Sequence, residues 1–302
     1  MIIDDLLEFK KKFNSDIFFD YNIKNLNWFN IGGKTKIFFK PKNLKELVNF
    51  LQLYSRRGKI FVLGAGSNTL FDDKIYEGVI IKLGSNFSKL SILNQNYVIA
   101  GGACLQKKMS NFAMENSIEG FEFMYCIPGS IGGGIRMNSG CFGKEFKDVI
   151  SSIQYLDFDG NIRLISSPKI KFEYRQTILP KDIIFLSATF KGYLGNKNHI
   201  SKLMENLMEK KEKSQPSRIK TGGSTFKNPI DQTEKKVWEL IKESIPKDTH
   251  FGDASISNKH FNFFVNTNQA KSSDMKKLIN FVRKKVKFKT GINISLEIVL
   301  VE

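Results

Sequence analysis

A glycine-rich stretch at residues 127–143 constrains the fold of this chain more than any other feature. Its sequence, IPGSIGGGIRMNSGCFG, holds six glycines and one proline in 17 residues, interleaved with small side chains. Because glycine has no Cβ atom, other groups can approach such a backbone closely. Ser130, Asn138 and Ser139 add polar groups that could bind a diphosphate or a cofactor ring. We therefore interpret the stretch as a ligand-binding segment, with a compact structural loop as the alternative.

A second glycine segment, GAGSN at residues 64–68, directly follows the apolar run KIFVL. Backbone amides at the end of a strand can bind a phosphate. However, Thr69 stands where the dinucleotide-binding pattern GxGxxG has its third glycine, and no long amphipathic helix follows. The segment is therefore weak support for a Rossmann fold. Both a phosphate-binding turn and a tight turn without a ligand stay open.

Strand and helix patterns occur together along the chain and predict a mixture of helices and strands. Short apolar runs followed by glycines, such as that at residues 97–103, are typical of strands that lead into turns. Asn43 is predicted to be the N-cap of a helix. A longer amphipathic helix is predicted to begin at Ser272 and to end at Gly291. The C-terminal run INISLEIVLVE alternates in the manner of a strand with one buried face.

A polar, glycine-containing segment at residues 191–200 separates two parts of the sequence. Such segments are typical of domain boundaries, where few contacts cross from one part to the other. We therefore predict a first domain over residues 1–195 and a smaller second domain over residues 196–302.

The formal net charge of +17 raises the question of a nucleic-acid partner. Only seven of the 47 basic residues are arginines, and the lysines are spread along the whole chain. A nucleic-acid-binding surface concentrates charge on one face and favours arginine for bidentate contacts. We therefore expect most lysines to be solvated. A basic nucleic-acid-binding protein is kept as a less favoured alternative.

The cysteines and histidines do not have the spacing of a metal site. Cys104, Cys126 and Cys141 are expected to be buried thiols in a reducing compartment. No run approaches the roughly 20 apolar residues that cross a bilayer, and the run MIIDDLLEFKKKF lacks the pattern of a signal peptide. We therefore expect a cytoplasmic protein with no metal and no membrane partner.

Six motifs resemble the UDP-N-acetylenolpyruvoylglucosamine reductase family, whose members are also called UDP-N-acetylmuramate dehydrogenases. They are WFNIGGKT (28–35), VLGAGSN (62–68), GFEFMYCIPGSIGGGIRMNSGCFG (120–143), FEYRQT (172–177), QPSRIKTGGSTFKNP (215–229) and GDASISNKHFNFFVN (252–266). The motifs occur in the order of the family and extend from about residue 20 to the C-terminus. One such motif would not be specific, whereas six in register are.

The resemblance implies an α+β fold, in which a flavin-binding domain of the vanillyl-alcohol-oxidase type is followed by a smaller α+β substrate-binding domain. The flavin-binding domain is expected to have two lobes that meet near residue 85. It also implies non-covalent FAD and NADPH as the reductant. The short spacing from Pro229 to Glu302 is similar to that of a shorter class, which lacks an inserted tyrosine-bearing loop. The implied reaction reduces UDP-N-acetylglucosamine enolpyruvate to UDP-N-acetylmuramate in peptidoglycan precursor synthesis. The expected partners are this UDP-sugar and NADPH, and the protein is expected to be a monomer.

The resemblance also implies three catalytic residues, which are expected to converge beside the flavin. Arg175 matches an arginine that holds the substrate carboxylate through its guanidinium. Ser224 matches the proton donor, and Lys227 could stabilise its alkoxide. Glu297 matches a glutamate of the final strand, where the alternation turns its side chain away from the core. Without the resemblance, a surface ion pair is the better interpretation of Arg175 and a turn serine that of Ser224, whereas a solvated glutamate describes Glu297 equally well.

The glycine segments supply the expected flavin contacts. The FAD diphosphate is expected at Gly64, Ala65, Gly66, Ser67 and Asn68. The remaining flavin contacts are expected at Pro128, Gly129, Ser130, Gly132, Gly133 and Asn138. Lys227 and Asn228 are expected to bind the phosphates or the carboxylate of the UDP-sugar. Another FAD-dependent alcohol or hydroxy-acid oxidoreductase on the same scaffold is the nearest alternative, but it has no reason to combine GSTFKNP with a C-terminal glutamate.

Overall fold

A computed structural model describes residues 2–55 and 57–302, which form two compact units. The first unit contains the residues up to Asp20, Lys36–Ala65 and Glu77–Lys210, and the second contains Tyr21–Thr35, Gly66–Tyr76 and Lys211–Glu302. Each unit has its own buried apolar residues. The domain boundary near residue 195 stays a prediction. Among the described residues, no helix is both long and apolar enough to cross a membrane.

Helices and strands are interspersed along the chain, as the sequence predicted. The α-helices are α1 (Ile2–Phe13), α2 (Leu44–Tyr54), α3 (Gln106–Glu115), α4 (Ile131–Met137), α5 (Lys197–Ser214), α6 (Val237–Ser244) and α7 (Ser272–Thr290). The strands are β1 (Asp16–Asn22), β2 (Lys34–Lys40), β3 (Lys59–Val62), β4 (Thr69–Phe71), β5 (Tyr76–Ile81), β6 (Leu90–Leu93), β7 (Tyr97–Gly101), β8 (Ile118–Glu119), β9 (Gly140–Cys141), β10 (Lys144–Glu145), β11 (Ile150–Asp157), β12 (Ile162–Ser166), β13 (Lys171–Glu173), β14 (Gln176–Ile178), β15 (Ile183–Lys191), β16 (Tyr193–Leu194), β17 (Lys220–Ser224), β18 (His250–Phe251), β19 (Ala254–Ile256), β20 (Phe263–Asn266) and β21 (Val299–Val301).

Two predicted helix ends are confirmed. At the start of α2, Asn43 Oδ1 accepts a hydrogen bond of 2.9 Å from the N–H of Glu46. This bond satisfies one of the amides that have no partner within the helix. Helix α7 ends at Gly291, whose φ of 74° is a left-handed conformation that glycine adopts without strain.

The first unit contains two cores of buried apolar residues, and its five-stranded sheet contributes to both. A four-stranded sheet in the order β1–β2–β5–β3 contributes to one core with α1 and α2. A five-stranded antiparallel sheet in the order β12–β11–β15–β7–β6 contributes to the other core with α3 and α4. Strand β15 is buried on both faces because Phe185 belongs to one core and Leu186 to the other.

Helix α4 lies within the glycine-rich stretch, where the sequence alone did not predict a helix. Ser130 Oγ accepts a hydrogen bond of 3.2 Å from the N–H of Gly133 and caps the first turn. Asn138 ends the helix in a left-handed conformation with a φ of 39°. A Cβ atom at Gly134 would lie 2.4 Å from Cζ of the buried Phe146 ring. Gly134 is therefore required for close packing inside the unit.

We expect Gly134→Ala to lower stability, although alanine is the better helix former by about 1 kcal/mol. Overpacking a well-filled core costs about 1–3 kcal/mol, which exceeds that gain. Gly133→Ala is the matched control, because a Cβ atom there meets only Ser130 Oγ, at 3.4 Å. Thermal unfolding followed by circular dichroism should give a lower Tm for Gly134→Ala only. Equal Tm values for the two variants would contradict the packing role.

The second unit is built on a four-stranded antiparallel sheet in the order β17–β20–β19–β18. Helix α7 contributes the predicted apolar stripe, including Met275, Leu278 and Val282, to the core of this unit. Strand β21 pairs in parallel with β4, with Val299 opposite Thr69.

The prediction of one continuous C-terminal strand over residues 292–302 is wrong. Only Val299–Val301 form a strand, preceded by an isolated bridge between Leu296 and Phe226. The hydrogen-bonding partner changes midway, because Glu297 N–H donates to the carbonyl of Thr225 whereas Val299 N–H donates to that of Asn68. A continuous ladder therefore cannot form, although Ile294 and Ile298 keep the predicted burial.

The three cysteines are free thiols, as expected, but they differ in burial. Cys104 and Cys126 are buried, and burial raises the pKa of the Cys104 thiol to about 11. The prediction of a buried thiol is wrong for Cys141, which is half-buried because it lies in the short strand β9 of a surface hairpin.

Candidate functional site

The two glycine segments meet within the first unit, at the end of β3. A Cβ atom at Gly64 would lie 2.6 Å from Oγ of Ser130, the capping residue of α4. A side chain at Gly64 would therefore displace the cap. Gly64 and Ala65 are both half-buried, so this turn can be reached from solvent.

The first amides of α4 are bonded to protein oxygens. The acceptors are Cys104 O for Ile131 N–H at 2.7 Å, Gly102 O for Gly132 N–H at 2.8 Å and Ser130 Oγ for Gly133 N–H at 3.2 Å. By contrast, the N–H groups of Gly64, Ala65 and Ser130 have no hydrogen-bond acceptor among the described residues. An amide without a protein acceptor needs a ligand or water. These three amides are therefore among the donors available to an anion.

The side chain of Asn138, a predicted flavin contact, forms hydrogen bonds within the protein. Its Nδ2 donates to Glu145 Oε2 and to the carbonyl of Glu173, both at 3.1 Å. Its Oδ1 accepts a bond of 3.0 Å from the N–H of Lys147. The residue is fully buried. Its side chain therefore fixes the loop that follows α4.

Arg175 occupies the tight turn between β13 and β14 with a φ of 56°. This conformation is strained for a residue other than glycine, and such strain is concentrated at functional sites. Its Nη2 donates to the carbonyl of Gly140 at 3.0 Å, and its Nη1 lies 3.5 Å from Glu145 Oε1. The guanidinium also lies 4.9 Å from the centre of the Tyr174 ring. With a side chain 19% exposed, Arg175 is held in place yet can reach solvent.

In the second unit, Ser224 ends β17 opposite Phe263 of β20. Gly223 precedes it with a φ of 77°, and a Cβ atom there would meet no atom within 4 Å. The backbone at Gly223, directly before Ser224, therefore borders open space. The next residue, Thr225, accepts a hydrogen bond of 2.9 Å from the N–H of Glu297. The segments that carry Ser224 and Glu297 are thus neighbours.

Lys227 and Asn228 follow on the same segment. Lys227 is half-buried, and its ammonium has no ion-pair partner among the described residues. Its N–H donates to the carbonyl of Ser295 at 2.8 Å. Asn228 Oδ1 accepts a bond of 3.0 Å from the N–H of Val237 at the start of α6. The Asn228 side chain is therefore oriented by the helix.

The second half of GAGSN belongs to the second unit. Gly66 has a φ of 71°, and a Cβ atom there would lie 2.1 Å from the carbonyl oxygen of Leu26, so no larger residue can take its place. Asn68 Nδ2 donates to the carbonyl of Glu297 at 2.9 Å. Asn68 therefore contacts the backbone of a predicted catalytic residue, a relation that the sequence did not indicate.

The structure places the three predicted catalytic residues in different units: Arg175 in the first, and Ser224 and Glu297 in the second. Their expected convergence stays a prediction. Sequence reasoning missed two residues that contact the candidate catalytic segments. Glu145 forms an ion pair with Arg175, and Asn262 bonds to the backbone that follows Ser224. Asn262 lies in the matched run at 252–266, which was the one signal that could have drawn attention to it.

Two family models match this chain. A family model described as an FAD binding domain matches residues 35–166. This match defines an FAD-binding protein. A second family model, the C-terminal domain of UDP-N-acetylenolpyruvoylglucosamine reductase, matches residues 215–301.

Similar proteins extend the match over the whole chain. A Pelagibacter ubique protein named UDP-N-acetylenolpyruvoylglucosamine reductase is 56% identical over 99% of both chains. A Rickettsia bellii protein of the same name is 42% identical over 92% of this chain and 91% of its own length. The crystal structure of this reductase from Thermus caldophilus is 25% identical, has a TM-score of 0.80, and covers 95% of this chain and 99% of that chain. The chain therefore belongs to the UDP-N-acetylenolpyruvoylglucosamine reductase family.

These matches confirm the resemblance seen in the sequence, and they confirm an α+β fold with an FAD-binding domain and a distinct C-terminal domain. The residues predicted to bind the flavin and the UDP-sugar stay predictions, as do the catalytic roles of Arg175, Ser224 and Glu297.

Proposed function

We propose that this chain uses NADPH and bound FAD to reduce UDP-N-acetylglucosamine enolpyruvate to UDP-N-acetylmuramate, a step in peptidoglycan precursor synthesis. Family membership over almost the whole chain supports the reaction. The structural observation that carries the proposal is the hydrogen bond from Glu297 to Thr225, which brings the proposed proton donor Ser224 and the proposed acid Glu297 onto neighbouring segments. An alcohol or hydroxy-acid oxidoreductase has no need of this pair.

FAD, once bound and reduced by NADPH, supplies the hydride. The residues present suit its diphosphate, because the amides of Gly64, Ala65 and Ser130 have no acceptor among the described residues. Gly132 and Gly133 use their own amides within the protein, so we assign them the role of giving close access. We assign Gly66, Ser67 and Asn68 to the same cofactor, because they continue that turn. We also assign Pro128, Gly129 and Asn138 to the cofactor, as parts of the loops around α4.

We assign to Arg175 the binding of the substrate carboxylate. Its guanidinium keeps its charge and can form two parallel hydrogen bonds to a carboxylate. The distance of 3.5 Å to Glu145 exceeds that of a good charge-assisted hydrogen bond, so this partner competes only weakly with a substrate. The strained turn and the bond to Gly140 fix the position of the side chain.

Ser224 is assigned as the proton donor to the α-carbon. Hydride addition at the vinyl β-carbon leaves negative charge on the α-carbon beside the carboxylate, and that carbon must be protonated. A serine hydroxyl is a weak acid, so its alkoxide needs stabilisation. We assign the stabilising positive charge to the ammonium of Lys227, which has no ion-pair partner among the described residues, and we also assign Lys227 and Asn228 to the anionic groups of the substrate. Glu297 is assigned to act on the enolate that forms.

The test begins with the visible spectrum of the purified protein. We expect a flavin spectrum that NADPH bleaches and that the enolpyruvyl UDP-sugar restores. A colourless protein that FAD cannot reconstitute would contradict any flavin-dependent activity. Slow re-oxidation by the UDP-sugar combined with fast turnover of an alcohol or hydroxy acid would favour the alternative oxidoreductase. Tight, salt-dependent binding of nucleic acid by a flavin-free protein would favour the nucleic-acid-binding alternative.

We also propose that the protein acts as a monomer in the cytoplasm, without nucleic-acid or membrane partners. The free thiols are consistent with a reducing compartment. The low share of arginine among the basic residues supports the absence of a nucleic-acid partner. Light scattering of the holoenzyme at working concentration measures the mass directly, and a mass of twice 34.5 kDa would contradict the monomer.

A further inference from the structure

Asn262 forms a three-bond clamp on the backbone that follows Ser224. Its side-chain Oδ1 accepts from the N–H of Phe226 at 2.9 Å, and its Nδ2 donates to the carbonyl of Phe226 at 2.8 Å. Its own carbonyl accepts from the N–H of Thr225 at 2.8 Å. Asn262 is 3% exposed, so water cannot easily replace these bonds.

The clamp acts where the regular sheet ends. Strand β17 pairs with β20 through an irregular register between Thr221 and Ser224, and its last pair joins Ser224 to Phe263. Beyond Ser224 the chain leaves this ladder, so pairing with β20 no longer fixes its direction. The amide side chain of Asn262 replaces the missing ladder, because it offers one donor and one acceptor, as a backbone peptide group does.

The clamped residues also carry the segment of Glu297. The carbonyl of Thr225 accepts from the N–H of Glu297, and Phe226 forms an isolated bridge with Leu296. Thr225 and Phe226 thus form the middle of three neighbouring backbones, with Asn262 on one side and Glu297 on the other. A shift of this middle segment would move Ser224 and the segment of Glu297 together.

We propose that Asn262 is a positioning residue that sets the place of the Ser224 hydroxyl relative to the α-carbon that it protonates. This inference rests on the proposed function, in which Ser224 is the proton donor. Loss of the clamp leaves two buried backbone groups of Phe226 without partners, and the segment must then move to satisfy them. A displacement of about 1 Å at a reacting group can slow a reaction about 100-fold.

Asn266, the last residue of β20, provides a matched control for Asn262, which directly precedes that strand. It is also 3% exposed, and its Nδ2 donates to the carbonyl of Phe29 at 2.9 Å. Its Oδ1 accepts from the N–H groups of Ala270 at 2.9 Å and Asn268 at 3.2 Å. Asn266 therefore matches Asn262 in burial and also bonds to the backbone through both its Oδ1 and its Nδ2, with three side-chain bonds against two for Asn262, but its side chain bonds to neither Thr225 nor Phe226.

The experiment compares Asn262→Ala with Asn266→Ala in the FAD-loaded enzyme by stopped-flow absorbance. We expect both variants to lose a similar amount of Tm and to be reduced by NADPH at the wild-type rate. Re-oxidation by the enolpyruvyl UDP-sugar should slow about 10- to 100-fold in Asn262→Ala only. A solvent deuterium isotope effect on this step should also increase only in Asn262→Ala, because proton transfer becomes limiting.

Equal re-oxidation rates in the two variants would overturn the positioning role. If Asn262→Ala does not fold, Asn262→Ser carries the same comparison, since its smaller hydroxyl keeps one polar group at the site. Ser224→Ala separates this inference from the function on which it rests. If the UDP-sugar re-oxidises Ser224→Ala at the wild-type rate, Ser224 is not the proton donor. If re-oxidation is slow in Ser224→Ala but normal in the Asn262 variants, only the positioning role of Asn262 is overturned.

Discussion

Replacing Ser224 by alanine is expected to slow re-oxidation of the reduced enzyme by the UDP-sugar about 10²- to 10⁴-fold, the usual contribution of a positioned general acid. NADPH should still reduce the flavin at the wild-type rate, because that half-reaction needs no proton at the substrate α-carbon. The side chain makes no hydrogen bond among the described residues, so its removal should leave Tm nearly unchanged.

Ser295→Ala is the control for this substitution. Ser295 is exposed on the neighbouring segment and contributes its backbone carbonyl to Lys227, which alanine retains. Single-turnover experiments with each variant separate the two half-reactions. Equal loss of flavin reduction and re-oxidation in Ser224→Ala would indicate damage to the flavin site and would contradict the assigned proton transfer.

Replacing Arg175 by lysine is expected to slow the same re-oxidation about 10²- to 10³-fold, the cost of losing one group that stabilises developing charge. Lysine keeps the positive charge but cannot form the paired hydrogen bonds of a guanidinium. Arg175→Gly should lose as much activity or more, yet remain folded, because glycine tolerates the φ of 56° at this turn.

Arg163→Lys is the control for a general effect of arginine loss. Arg163 pairs with Asp157 through Nε at 3.2 Å and is 59% exposed, so its replacement should leave both half-reactions unchanged. The readouts are the re-oxidation rate and the affinity for the enolpyruvyl UDP-sugar. A wild-type rate in Arg175→Lys would show that charge alone suffices and would contradict the bidentate role.

The sequence by itself determined the elements whose signals are local. Asn43 caps α2 and Gly291 ends α7 because capping depends on residues within one turn of the helix end. The strands at residues 59–62 and 97–101 were also predicted, because a short apolar run that leads into glycines is typical of a strand. The six motifs were enough to indicate the family, because their order and spacing reflect the whole fold.

Only the tertiary structure decided features that depend on partners distant in the chain. Helix α4 forms from a glycine-rich stretch because the missing side chains, as at Gly134, let Phe146 pack against it, which outweighs the poor helix propensity of glycine. The last strand is interrupted because its hydrogen-bond partner changes from Thr225 to Asn68. The clamp by Asn262 has the same origin, since a side-chain amide gains its role from the backbone that folding brings beside it.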